Sequence, residues 1–250
     1  MQRQFLIRSV VVVLLLGSCV LRVELTGNER PVTLRARIQD SPPGKKEKSD
    51  TKRDASDVVV WLKPLDPEAF RNASDAGSKR PQVIQKNKSF HPHLTVVRVG
   101  SVVDFPNHDP FFHNVFSYFD GKRFDLGLYE AGSTNSVRFD HVGVSYLFCN
   151  IHPEMSAVVV AVDTPFYGVS DKAGNIVLPN VPNGKYELHV WYERSTPASL
   201  KELTRPAQIS TDSRDLGTIT VQQDPSFTPT HKNKYGQDYA PAPKEGYPQP

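Results

Sequence analysis

The stretch Cys149-Asn150-Ile151-His152-Pro153-Glu154-Met155 places a thiol, an imidazole and a thioether on one hairpin-sized loop, and His113 stands 36 residues before the cysteine. Soft sulfur donors with imidazole suit copper cycling between its two oxidation states, and two His and one Cys with a weak axial Met is an electron-transfer pattern. His113, Cys149, His152 and Met155 therefore read as the ligands of a single copper ion. Cysteine usage agrees. The chain has two Cys, and with Cys19 at the end of an N-terminal apolar run, Cys149 is the one free thiol of an exported protein. An oxidising compartment disfavours such a thiol unless something occupies it, and a metal would. The plainer reading is a buried, inert Cys149; His152 and Met155 at ligand spacing weigh against it.

The remaining histidines compete weakly. His108 lies five residues before His113 and could in principle reach the loop, but reads as a turn residue at its rim. His91-Pro92-His93 could chelate a second metal or be an exposed loop, and His141, His189 and His231 have no partners by spacing. There is no second loop Cys for a binuclear copper site and only one His-x-His pair, too few for a trinuclear centre. Nor is there a nucleophile with a base at recognisable spacing, a phosphate loop or an assignable carboxylate pair. Catalysis is not supported by these residues.

Short strands must position the four candidate ligands. Residues 32–38 alternate apolar and polar, as a half-buried strand does. Val58-Val59-Val60-Trp61-Leu62 is continuous, as for a strand covered on both faces. Further strands are expected at 82–85, 94–99, 101–105, 113–117, 136–139, 145–148 and 157–162, separated by turn formers such as Gly100 and Pro106-Asn107-His108-Asp109-Pro110. With no amphipathic helix of useful length, the expected class is all-β, a sandwich. Residues 40–57, with the mixed charge run Lys45-Lys46-Glu47-Lys48, read as an exposed loop, and 67–72 as a short helical turn. Asn72 and Asn87 sit in Asn-x-Ser triplets, which beside a bacterial-looking leader read as chance matches.

Residues 82–163, about one third of the chain, resemble a small cupredoxin of the plastocyanin and amicyanin kind. The resemblance rests on Val99-Gly100-Ser101-Val102-Val103-Asp104-Phe105, Phe112-His113-Asn114-Val115-Phe116-Ser117, Phe124-Asp125-Leu126-Gly127 and Phe148-Cys149-Asn150-Ile151-His152-Pro153-Glu154-Met155. The Cys-x-x-His-x-x-Met spacing is that of amicyanin. The resemblance implies a Greek-key sandwich with one type 1 (blue) copper, His113 binding from inside the sandwich, and a short thiolate bond from Cys149. It further implies that His152 presents an exposed ring edge for electron passage, that Met155 is the axial ligand, and that Asn114 hydrogen-bonds across to the Cys149 loop.

Beyond residue 163 the pattern remains β. Residues 167–178 read as strand, Gly-containing turn and strand, residues 181–191 as a turn and a long alternating strand, and Ile209 with 216–221 complete the set. This segment resembles the carboxypeptidase-regulatory, transthyretin-like (Ig-like) sandwich, which implies two earlier strands of the kind at 32–38 and 58–62. The expected assembly is a discontinuous sandwich, 31–66 with 164–222, into which the cupredoxin domain 82–163 is inserted. The alternative assigns 31–66 to the cupredoxin and leaves 164–222 as a small separate domain.

Residues 1–18 have a basic start and a short apolar run, with 13 residues between Arg8 and Arg22. A bilayer-spanning helix needs about 20, so they read as a signal peptide for export to the periplasm or cell envelope. Leu16-Gly17-Ser18-Cys19 resembles a lipobox, with Cys19 as a lipidation site and the only membrane attachment; the alternative is an ordinary leader cut downstream. The formal charge of +3 includes Arg3 and Arg8, leaving +1 after the leader, which argues for no nucleic-acid partner. Residues 223–250 are rich in Pro and poor in apolar residues, as a disordered tail is. The function expected is a non-enzymatic carrier of single electrons serving a redox protein or cytochrome. A copper-binding or delivery module without a redox-chain role, and a surface ligand-binding sandwich protein, are the alternatives.

Overall fold

The computed structural model describes residues 31–40, 54–66, 79–118, 121–228 and 231–239. The leader 1–18, Cys19, the charge run 45–48, the turn expected at 67–72 and Asn72 lie outside them. Nearly all regular structure is β, with one short helix, α1 (Pro197–Glu202). No helix among the described residues is long and apolar enough to cross a membrane.

The candidate ligands belong to a two-layer unit. One layer is a five-stranded sheet in the order β5 (Leu94–Arg98), β11 (Ser156–Val162), β10 (Gly143–Phe148), β7 (His113–Ser117) and β8 (Phe124–Tyr129). The facing layer is the antiparallel pair β6 (Val102–Pro106) and β9 (Thr134–Arg138), joined through the bridges Gln82↔Asp104 and Gln85↔Asn107 to the hairpin β3 (Ile84–Lys86) and β4 (Ser89–His91). Between the layers lies a core that includes Val103, Phe105, Val115, Phe139, Leu147, Cys149, Met155 and Val159. Cross-strand burial of such apolar side chains is the main stabilising term, about 25 cal/mol per Å² of apolar surface.

Strands β1 (Val32–Asp40) and β2 (Val59–Pro64) pair with the C-terminal strands, not with the unit that carries the candidate ligands. A three-stranded sheet runs β13 (Asn175–Leu178), β1, β16 (Asp215–Gln223). A four-stranded sheet runs β12 (Tyr167–Val169), β2, β14 (Gly184–Trp191), β15 (Arg205–Ile209). Their core includes Val32, Leu34, Val60, Leu62, Ile176, Tyr186, Leu188 and Val221.

Strand β11 joins the two cores. Its side chains alternate between faces: Ala157, Val159 and Ala161 pack with the metal-side core, whereas Val158, Val160 and Val162 belong to the buried cluster of the other unit. That is why the sequence here is a near-unbroken apolar run. Helix α1 is a single capped turn and half, started by Thr196, whose side chain accepts from the Ser199 N–H, with Pro197 at its first position.

Candidate metal centre

Two strand ends and one loop bring the donors together. Strand β10 pairs with β7 at Phe148↔Phe116. Continuing that antiparallel register one residue beyond Phe148 places Cys149 opposite Val115, beside the Asn114 and His113 end of β7. The β10–β11 hairpin closes behind it, with Phe148 opposite Ser156, the Cys149 N–H donating to the Met155 carbonyl at 3.4 Å and the Met155 N–H to the His152 carbonyl at 3.1 Å. The loop is too short and too internally bonded to place His152 elsewhere.

The result is a buried triad. Cys149 Sγ lies 3.9 Å from His113 Nδ1 and 3.6 Å from His152 Nδ1, and the two ring nitrogens are 3.1 Å apart. Nitrogen and sulfur donors bound at about 2.0–2.3 Å to one ion stand roughly 3–4 Å apart, so the three atoms fit a shared cation. Met155 is fully buried in the core that contains Cys149, at the far end of the loop. His108 is exposed and its N–H donates to the Gln85 carbonyl, outside the donor set.

Burial pushes the Cys149 thiol up, against the backbone N–H groups of Ile151, Asn114 and His152 that favour its thiolate. Burial, reinforced by His113, pulls the His152 pKa below the ordinary imidazole value and so favours the neutral ring that ligates. With His113 Nε2 donating to Asp109, the His113 Nδ1 lone pair faces His152 Nδ1 and the Cys149 thiol, and a cation at this point would take the place of the proton shared among them.

Asp109 was not singled out from the sequence. Its Oδ2 accepts from His113 Nε2 at 2.8 Å, which directs the Nδ1 lone pair of His113 at the other donors. The carboxylate also accepts from the backbone N–H groups of Asn87 at 2.6 Å and Lys88 at 2.9 Å, in the turn between β3 and β4. Burial alone would raise its pKa; the Lys88 N–H, His113 and the Asn87 N–H outweigh that and hold it below the usual carboxylate value. The spacing Asp109-x-x-x-His113 was its only sequence signal.

Asn114 reaches Cys149 through its backbone N–H, while its side chain turns to β8, Nδ2 donating to Asp125 Oδ1 at 2.7 Å and to the Gly127 carbonyl at 2.9 Å. One expectation needs correction: His152 does not present an exposed edge, since the residue is 5% exposed and its Nε2 is buried with no hydrogen-bond partner among the described residues. Phe111 packs against both rings, with centroids 5.2 Å from His113 and 5.7 Å from His152.

The tail differs from expectation as well. Of the stretch read as lacking structure from 223 onward, residues 231–239 lie against the loop. Tyr239 donates its hydroxyl to the Cys149 carbonyl at 2.6 Å, the Lys234 N–H donates to Asn150 Oδ1 at 3.0 Å, Lys234 Nζ pairs with Asp125 Oδ2 at 2.8 Å, and His231 stacks on Phe148 with centroids 4.0 Å apart. Four specific contacts offset the ordering entropy that the composition alone could not. His93, half of the candidate second chelate, instead engages Glu193 at 2.7 Å and the Ser156 carbonyl at 3.2 Å.

No protein-family model matches the chain, and no curated protein sequence matches it. Among solved structures, the copper-containing nitrite reductase of Thermus scotoductus SA-01 is similar over 40% of this chain and 27% of that one, at 24% identity and a TM-score of 0.33. A purple cupredoxin from Nitrosopumilus maritimus is similar over 33% of this chain and 99% of its own, at 23% identity and a TM-score of 0.30. Amicyanin from Paracoccus versutus is similar over 36% of this chain and 88% of its own, at 20% identity and a TM-score of 0.31.

Proposed function

We propose that this chain is a cupredoxin-type protein that binds one copper ion through His113, Cys149 and His152, with Met155 as a weak fourth ligand, and carries single electrons. The observation that carries this reading is the buried triad itself, with Cys149 Sγ within 3.9 Å of both imidazole nitrogens. Copper would supply a one-electron couple, and soft sulfur with imidazole is the donor chemistry that suits both of its oxidation states.

The protein's part is to keep the donors still. His113 is fixed by Asp109, Cys149 by the β10 end, and His152 and Met155 by the closed loop. Donors that cannot relax have little to rearrange when the charge on the ion changes by one, and this favours electron exchange over transfer of the ion. By the leader-like residues 1–18 and Cys19, the site of its work is the periplasm or cell envelope, serving a redox protein or cytochrome, with the second sandwich as a spacer or docking surface.

The test is titration of the purified protein with copper(II), followed by visible and electron-paramagnetic-resonance spectra, beside Cys149→Ser. An intense thiolate-to-copper band at one equivalent with small hyperfine splitting, lost in Cys149→Ser, is the expected outcome. An ordinary cupric spectrum indifferent to that substitution would overturn the reading. Rapid loss of copper to a chelator, without fast reversible reduction, would favour a delivery module.

A further inference from the structure

We infer that residues 231–239 are a working part of the metal centre, with Tyr239, Lys234 and His231 as positioning residues that hold the Cys149 loop from outside. The inference rests on the copper reading for its redox consequences, though the strap itself is defined by contacts between this chain's own residues.

Three of these contacts touch consecutive residues of the loop root. His231 stacks on Phe148 at 4.0 Å and 24°, Tyr239 donates to the carbonyl of Cys149 at 2.6 Å, and the Lys234 N–H donates to Asn150 Oδ1 at 3.0 Å. A fourth ties the strap to the ligand strands: Lys234 Nζ reaches Asp125 Oδ2 at 2.8 Å, and Asp125 Oδ1 accepts from Asn114, the neighbour of His113, at 2.7 Å. The Asn114 side chain is thus linked to the Cys149 loop through Asp125 and Lys234.

The strap is also internally braced, so that its three contacting side chains act together. Tyr239 Oη lies 3.2 Å from His231 Nδ1, and the N–H groups of Tyr235 and Gln237 both donate to Asn233 Oδ1, at 2.9 and 3.0 Å. A hydrogen bond to the carbonyl of the thiolate ligand restrains the Cα–Cβ–Sγ direction, which sets how sulfur points at the ion.

Single substitutions of Tyr239→Phe, Lys234→Ala and His231→Ala, in the full chain, test this at two levels. In metal-free protein, alkylation of Cys149 by a small thiol reagent is expected to be slow, and to quicken roughly fivefold to tenfold in Tyr239→Phe, the size that one lost hydrogen bond supports. In copper-loaded protein, the same variants should shift the thiolate-to-copper band and its hyperfine splitting and release copper to a chelator several-fold faster. Alkylation, spectrum and release all unchanged in the three variants would overturn the strap. Alkylation that quickens in a protein showing no thiolate-to-copper band would sustain the strap and sink the copper reading, so the two failures are distinguishable. The spectrum is expected to be kept in Lys234→Arg and shifted in Lys234→Ala if the Asp125 pair positions the loop.

Discussion

At the scale of single residues, the centre depends on groups that are not ligands. Asp109 holds the His113 ring and the turn between β3 and β4 with one carboxylate. Partners of this kind on a metal-binding imidazole typically change metal affinity about 10–100-fold when removed. Asp109→Ala is therefore expected to weaken copper binding by that order, measured by competition with a chromophoric chelator. Asp109→Asn keeps an acceptor for His113 Nε2 while losing the charge, and its loss should be smaller. Equal affinity in all three proteins would show that Asp109 serves the turn alone. The donor types and the loop were legible in the sequence, because Cys149, His152 and Met155 are close along the chain. Asp109 was legible only as a spacing, and the burial of His152 was not legible at all, since Phe111 covers it through the fold.

At the scale of elements, apolar patterning was informative wherever a strand's two faces differ or are both covered. The run in β11 shows as a strand buried on both sides, and the burial found there is complete or nearly so from Ala157 to Val162. The strand β8 was not read as one, because Asp125 and Gly127 interrupt its pattern; Gly127 takes φ 67°, and β7 and β8 shift register between Asn114 and Phe116. The turn between β12 and β13 makes a sharper demand. Gly174 has φ 82°, and a Cβ there would run into the carbonyl oxygen of Ala36 in β1. Gly174→Ala is expected to destabilise the sandwich by roughly 2–4 kcal/mol, combining left-handed backbone and overpacking costs. The measurement is the midpoint of denaturant unfolding followed by circular dichroism, and an unshifted midpoint would contradict the close approach. The copper spectrum of any folded fraction should remain that of the unaltered protein, because Gly174 belongs to the other core.

At the scale of the whole molecule, the two units share an interface that includes an ion pair as well as the outer face of β11. His93, just before β5, donates to Glu193, just after β14, and to the Ser156 carbonyl. The hydrogen bond to Glu193, against the opposing effect of burial, raises the His93 pKa above its ordinary value. A raised folded-state pKa gives stability that is fully present below the unfolded value of about 6.5 and is lost as pH rises through the folded value. His93→Gln should therefore lower Tm at pH 6 and have little effect at pH 9. His93 is 44% exposed at its side chain, so the pair is worth less than about 1 kcal/mol, or about 2–4 °C at most for a chain of this size. A pH-independent loss in that variant would mean the contact acts by packing alone. The sequence by itself determined the all-β class and marked Cys149 and His152 as neighbouring candidate donors on one loop, because alternation and short-range spacing are local properties. Only the tertiary structure decided which strands pair with β1 and β2, that Asn114 turns to β8, that His152 is enclosed, and that residues 231–239 lie on the metal loop. Each of those depends on contacts between residues far apart in the chain, as with Tyr239 and Cys149 at a separation of 90, for which composition and periodicity carry no signal.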